Sequence, residues 1–245
     1  MKKVILLLME GPSDEDALLA PTKAAISDVL VDSECFHTDV TTASLFPHNA
    51  SFDVSSDVSK TVGDFVDSYL DKNPGYDWGD LAAVIQVIDL DGALVRPDSV
   101  IEDWSTHKIQ YGDEAISTPD RDFLLRRNRV KTASIKKLCN IEAIGKGRKR
   151  IPYRIFFMSR NLEHALYGIS RELRDEEKEQ LSFAYAKTCR DKPSFFLDSL
   201  KDEAIAVPGG YEETWKHCFQ GTNSLKRGSN YHLLFDMAPR LFNLG

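Results

Sequence analysis

Four carboxylates in this 245-residue chain stand where apolar runs end. Glu10 follows the run 4–9, Asp89 and Asp91 close the run that begins at Leu81, and Glu163 lies just beyond the run 155–158. Acids gathered at strand ends repel one another, and a bound cation relieves the repulsion. Oxygen ligands with no His or Cys beside them suit Mg²⁺ or Mn²⁺ better than zinc. In a D-x-D that ends a strand, residues two apart point the same way, so Asp89 and Asp91 can serve one ion. Gly92 then lets the chain turn sharply.

The elements that must position these acids follow from hydrophobic periodicity. Residues 4–9 are a continuous apolar run and 81–90 a second long one, as in strands buried on both faces. Further strands are expected over 35–40 and 155–158. A helix is expected over 13–30, with Ser13 as its N-cap, acids in its first turn, and Pro21 kinking or dividing it. Val62, Phe65, Val66, Tyr69 and Leu70 have helical spacing, as do Leu162, Ala165, Leu166, Ile169 and Leu173 behind an Asn161 cap. Residues 41–58 read as loop, and 93–150 as an insertion without strand–helix rhythm. Residues 174–245 read as mostly helical, broken at Pro193, Pro208-Gly209-Gly210 and Gly221. The pattern is α/β with a mostly parallel sheet, in which function gathers at the carboxyl ends of the strands.

Charge is distributed unevenly. The chain carries 31 Lys+Arg and 38 Asp+Glu, a net of −7, which excludes a uniformly basic nucleic-acid coat. Residues 1–100 hold 6 basic and 18 acidic side chains, whereas residues 121–150 hold 11 basic ones against Asp122 and Glu142. Arg126, Arg127, Arg129, Lys131, Lys136, Lys137, Lys146, Arg148, Lys149 and Arg150 form a strip suited to a phosphate backbone, DNA or RNA. A solvated charged face, or a patch docking an acidic protein, is the plainer alternative. The six-residue apolar run near the start is too short for a signal peptide, and no segment has the length of a membrane span. Four scattered cysteines lack zinc-site spacing and are expected to be free thiols in a cytoplasmic protein. His164, in the first turn of a helix, could orient water or a phosphate but reads first as structural, and no G-x-S-x-G of a serine hydrolase surrounds Ser159. The C-terminal aromatics, Phe195, Phe196, Trp215, Phe219, Phe235 and Phe242, read as core or as a partner interface.

The run ending Glu10-Gly11-Pro12-Ser13-Asp14, followed by Val87-Ile88-Asp89-Leu90-Asp91-Gly92, resembles the Toprim domain, whose apolar strands end in E-G and then D-x-D. The form E-G-P-S-D before a proline-containing helix looks most like the nuclease branch typified by the OLD family. Ser159-Arg160-Asn161-Leu162-Glu163 is similar to RloB-like phage-defence Toprim proteins. The resemblance covers residues 1–95 and 151–170. It implies a Rossmannoid, mostly parallel sheet flanked by helices over 1–170, with a basic insertion at about 96–150 and a helical extension over 171–245. It implies a Mg²⁺- or Mn²⁺-dependent nuclease in which Glu10, Asp14, Asp89, Asp91 and Glu163 are the catalytic and metal-holding residues. It also implies an anti-phage role beside a separate ABC-type or AAA ATPase subunit, since no G-x-x-x-x-G-K-[ST] occurs here, and allows a homo-oligomer. Two other classes compete. Val87–Leu94 also looks like the first motif of haloacid-dehalogenase-type phosphatases, with Asp89 as nucleophile, Asp91 as acid/base and 156–159 as the second motif. A non-catalytic adaptor of Toprim fold, binding an ATPase, is the third class.

Overall fold

The computed structural model describes residues 3–26, 29–37, 39–46 and 57–241. In chain order the first elements are β1 (Val4–Met9), α1 (Pro12–Ala25), β2 (Leu30–Cys35), α2 (Val58–Lys72) and β3 (Leu81–Asp89). Then come β4 (Val100–Glu102), β5 (Gln110–Tyr111), β6 (Ile116–Thr118), α3 (Arg121–Cys139), β7 (Ala143–Ile144) and β8 (Ile151–Met158). The chain ends in α4 (Leu162–Tyr167), α5 (Asp175–Asp191), α6 (Pro193–Leu200), α7 (Tyr211–Cys218) and α8 (Leu233–Leu241). The main sheet has the order β2-β1-β3-β8-β7, parallel throughout except for β7, and β4-β6-β5 form a separate small sheet.

The long apolar runs are explained by burial on both faces. Val4, Leu6 and Leu8 of β1 lie with Val84, Ile88, Tyr153 and Phe157 under α2, α3 and Trp215. Ile5, Leu7 and Met9 lie with Ile85, Val87, Phe156 and Met158 under α1, α4, α5, α6 and the start of α8. Strand alternation thus feeds two cores from one sequence run. The molecule is a mostly parallel α/β sheet flanked by helices, and the helices beyond residue 174 complete both cores, α7 one and α5, α6 and α8 the other.

Several boundaries differ from expectation, each for a local reason. The second strand is 30–35 rather than 35–40: it is an edge strand with a half-polar sequence, and pairing with β1 sets its register, Val4 to Leu30 through Met9 to Cys35. α1 begins at Pro12 with Gly11, not Ser13, as N-cap, because proline has no N–H to lose at the first helical position. It runs unbroken through Pro21 and ends at Ala25. α4 stops after six residues at Gly168, which is left-handed at φ 69°, so Ile169 and Leu173 lie outside it. The stretch 93–150 is no mere insertion. Its helix α3 crosses from β3 to β8 and places Ile135 and Leu138 in the main core. Most of the expected 41–58 loop, and Phe242, lie outside the described residues.

Candidate functional site

Because β1, β3 and β8 are parallel, their carboxyl ends share one edge, and Glu10, Asp89 and the turn leading to Glu163 meet there. Asp14 joins them from the first turn of α1, where its carboxylate accepts the Gly11 N–H at 3.0 Å. Asp91 lies beyond the end of β3, so strand alternation does not aim it. It adopts a left-handed φ of 45° and donates its N–H to the Arg160 carbonyl at 2.8 Å, and Arg160 is itself left-handed at φ 54°. Two strained non-glycine residues therefore lock the ends of β3 and β8 together, a conformation that persists only where its surroundings enforce it. Gly92, at φ 63°, favours glycine: any other side chain would be strained there, and its Cβ would lie 2.6 Å from the Ile116 side chain.

The turn aims Asp91 at Lys131. The lysine Nζ lies 2.6 Å from Asp91 Oδ2 and 2.8 Å from Asp39 Oδ2, and its side chain is fully buried. Lys131 is therefore not part of a phosphate track. It sits on the inner face of α3 with Leu124, Asn128, Ile135 and Leu138. Arg127, one turn earlier, also faces inward, donating to the Asp91 carbonyl at 2.6 Å and to the Tyr111 hydroxyl at 3.3 Å. Asp39 has no counterpart among the acids expected from sequence. Its carboxylate accepts the Thr41 N–H at 2.8 Å and the Thr42 hydroxyl at 2.9 Å. A legible signal existed for Lys131, a cation at the helical spacing of an apolar stripe. None existed for Asp39, which lies in an irregular segment.

Protonation follows this geometry. Burial opposes the charge on Lys131, but Asp39, Asp91 and Glu10 outweigh it and hold the ammonium well above the usual lysine range. Burial likewise opposes ionisation of Asp39, and Lys131 with the two threonines lowers its pKa nonetheless. The acids without a close cation go the other way. Burial first, then Asp39, raises Glu10 well above the ordinary carboxylate range, with Lys131 only partly opposing. Burial, then Asp14 and Glu10, does the same to Asp89. Asp14 is raised to about 6, chiefly by burial, with Glu163 adding repulsion and the Gly11 N–H opposing it. Glu163 is buried and reaches Lys178 of α5 at 3.5 Å.

The donor set matches a hard divalent cation in chemistry. It is all oxygen, and Glu10 Oε1 is buried with no hydrogen-bond partner among the described residues. The set is not closed around an ion. Among the described residues no three acidic, imidazole or thiol side chains converge closely enough to hold one. Lys131 fills the place of a counter-ion for Asp39 and Asp91, leaving Glu10, Asp14 and Asp89 as the group that lacks one.

The basic strip does not flank the acids along its whole length. α3 has 19 residues, about 28 Å of helix, and its outer face presents Arg126, Arg129, Lys136 and Lys137. The densest part, Gly145–Arg150, precedes β8, so it lies at the opposite end of that eight-residue strand, about 23 Å from the acids. The acidic block also folds onto the strip: Lys137 pairs with Asp57 at 2.8 Å, Lys146 with Asp67 at 2.9 Å and Lys149 with Asp77 at 2.8 Å. Among the described residues no carboxylate pairs with Arg126, Arg129, Arg148 or Arg150, all exposed.

Ser159, His164 and the cysteines add little to the acids. The Ser159 hydroxyl is buried without a partner among the described residues, burial and Arg160 lower the His164 pKa, and all four cysteines are free. No helix among the described residues is long and apolar enough to cross a membrane. Compared with protein-family models, curated proteins and solved structures, the chain matches none.

Proposed function

We propose that this protein is a divalent-metal-dependent nuclease that hydrolyses phosphodiester bonds at the carboxyl edge of β1 and β3. One observation carries the reading: Glu10, Asp14 and Asp89 repel one another across a half-buried edge, and among the described residues none of them has a cation at ion-pair distance. Glu10, Asp14 and Asp89 do not close on an ion as they stand; drawn together, they would supply the oxygen donors to Mg²⁺ or Mn²⁺, with Glu163 beside Asp14. When bound, such an ion polarises a phosphoryl oxygen and makes water a nucleophile at neutral pH. The chain's own residues supply the rest. Glu10, whose pKa burial raises well above the ordinary carboxylate range, is the candidate general acid/base. Arg127 and Lys131 grip the backbone and side chain of Asp91 and fix the turn that follows β3. The setting implied by the Toprim resemblance, an anti-phage effector working with a separate ATPase, belongs to the same proposal.

The test is cleavage of DNA and RNA by the purified chain with Mg²⁺ or Mn²⁺, alone and with any ATPase encoded beside it. Wild type is expected to cleave, while Glu10→Gln and Asp89→Asn lose at least about a thousandfold in kcat/KM, about 4 kcal/mol of transition-state stabilisation. Wild type that cuts nothing, or variants that cut undiminished, would refute the reading. The outer face of α3 makes a separate prediction. Arg126→Ala and Arg129→Ala are each expected to weaken nucleic-acid binding and to reduce the slope of log K against log salt by about 1. Lys131→Met is expected to leave that slope unchanged, since its ammonium is buried in ion pairs.

One observation favours a second reading. Ser159, with its buried unpartnered hydroxyl, ends β8 beside β3, where a haloacid-dehalogenase-type phosphatase places its second-motif serine next to the D-x-D strand. Release of phosphate from small phosphomonoesters, abolished by Asp89→Asn and unaffected by Glu10→Gln, would establish that alternative.

A further inference from the structure

A pocket of about 740 Å³ adjoins the acidic edge, between the small sheet and the turn into α4. Its walls include Ile109, Tyr111, Arg160, Asn161, His164 and Ile169. Three of these are tied to the acids. Tyr111 accepts a hydrogen bond from the same Arg127 that grips Asp91, the Arg160 carbonyl accepts the Asp91 N–H, and Asn161 caps the helix that carries Glu163. The pocket and the acidic cluster are thus two sides of one strained turn.

The lining has a mixed character. One aromatic ring and two isoleucines offer flat apolar surface, and the Asn161 amide and His164 imidazole offer polar edges. Arg160 is almost wholly buried, held by the Leu225 carbonyl at 2.7 Å and by Asp113, and its Nη1 makes no hydrogen bond among the described residues. Lys108 and Arg171 add positive charge at the wall, against Glu172. A flat ring with hydrogen-bonding edges and an attached anion satisfies all three characters at once, and a nucleotide has that chemistry. The volume lies within the range of sites that enclose small molecules.

We propose that this pocket takes the base of the nucleotide next to the scissile phosphate, so that the substrate is single-stranded or unpaired nucleic acid. The proposal rests on the phosphodiesterase reading of the neighbouring acids. A base held in a stacked pair cannot turn its edges and both faces into such a recess, whereas an unpaired one reaches it while its phosphate remains at the strand ends. Arg160 meets the anion, Tyr111 and the isoleucines meet the ring faces, and Asn161 and His164 meet the polar edge.

Two measurements on the full chain test this. In the first, nucleoside 5′-monophosphates, ribose 5-phosphate and inorganic phosphate are titrated without requiring turnover. Base-bearing ligands are expected to bind at least about tenfold more tightly than ribose 5-phosphate, and Ile169→Trp, which fills the pocket, is expected to remove that difference. Ser170→Trp, at an exposed lining position, does the same if Ile169→Trp fails to fold. Equal affinity with and without a base, or unchanged selectivity in a folded variant, overturns the pocket assignment. In the second, a single-stranded oligonucleotide is compared with its duplex and with abasic versions. The single strand is expected to be cut faster, and an abasic position beside the cut is expected to lower kcat/KM about tenfold in wild type but not in the filled variant. Cleavage indifferent to strandedness and to the abasic position overturns the pocket alone. Base-selective binding with no cleavage of any substrate instead overturns the phosphodiesterase reading and the scissile-phosphate role with it.

Discussion

Lys131→Met is expected to lower the unfolding free energy by about 2–3 kcal/mol, because it removes a fully buried ammonium from two half-buried carboxylates, Asp39 and Asp91, and leaves them only the more distant charge of Arg127. Methionine fills nearly the same volume, so the loss reports charge rather than a cavity. The ammonium is held by carboxylate oxygens at 2.6 and 2.8 Å, and neither acid has another cation at ion-pair distance among the described residues. Urea denaturation at neutral pH measures the change. Combining Lys131→Met with Asp39→Asn is expected to recover part of the loss, since one of the two stranded charges is gone. A loss below about 1 kcal/mol would place the pair in the class of exposed bridges and contradict its burial. The same lysine is the natural candidate for a basic track by composition, and only its depth in the fold removes it from one.

The second large effect concerns pH and metal. Asp14 has its pKa raised from the ordinary 3.8 to about 6 by burial, and Glu10 and Asp89 are raised as well. A carboxyl whose folded pKa exceeds its unfolded value favours the fold in its protonated form. Its contribution is complete below the unfolded pKa and is lost as pH rises through the folded one. For Asp14 that window runs from about pH 4 to just above pH 6, and its share is at most about 3 kcal/mol. Chelator-treated protein is therefore expected to lose stability between pH 4 and pH 7. Asp14→Asn, which keeps an acceptor for the Gly11 N–H, is expected to lose less over the same interval. Mg²⁺ or Mn²⁺ is expected to restore wild type at pH 7 more than the variant, because a ligand that binds only the native state stabilises it. Thermal unfolding across that range checks both expectations. Parallel pH profiles for wild type and Asp14→Asn, or indifference to the ions, would contradict the account of the cluster. Asp39 moves oppositely, its depressed pKa contributing stability above the ordinary carboxylate range that fades as the medium is acidified.

Legibility tracked burial. β1 and β3 read clearly because both faces are covered, so β1 is apolar throughout and β3 is apolar but for Gln86 and its terminal Asp89. β2 read poorly because an edge strand need not be apolar throughout, and its pairing with β1 rather than its own composition sets its limits. α3 escaped notice inside a stretch rich in Arg and Lys. Its buried face carries Asn128 and Lys131 between Leu124 and Ile135, and polar residues in an apolar stripe blur the helical period. Glu10, Asp89 and Glu163 were legible as acids at or just past the ends of apolar runs, and Asp14 only through the resemblance of Glu10–Asp14 to the Toprim nuclease branch. The conformation of Asp91 was not, since nothing local marks an aspartate that will be forced left-handed by Arg160.

By itself the sequence determined that the chain forms an α/β sheet and that its acids meet at one edge. Parallel strands ending in carboxylates leave no other edge for them. The tertiary structure alone decided how charge is shared. It folded Asp57, Asp67 and Asp77 of the acidic block onto Lys137, Lys146 and Lys149, and carried Gly145–Arg150 to the far end of β8. It also drew Lys131 and Asp39 into the acidic edge from 92 residues apart. Electrostatic partners are chosen by distance in space and by the water excluded between them, and neither quantity is written along the chain.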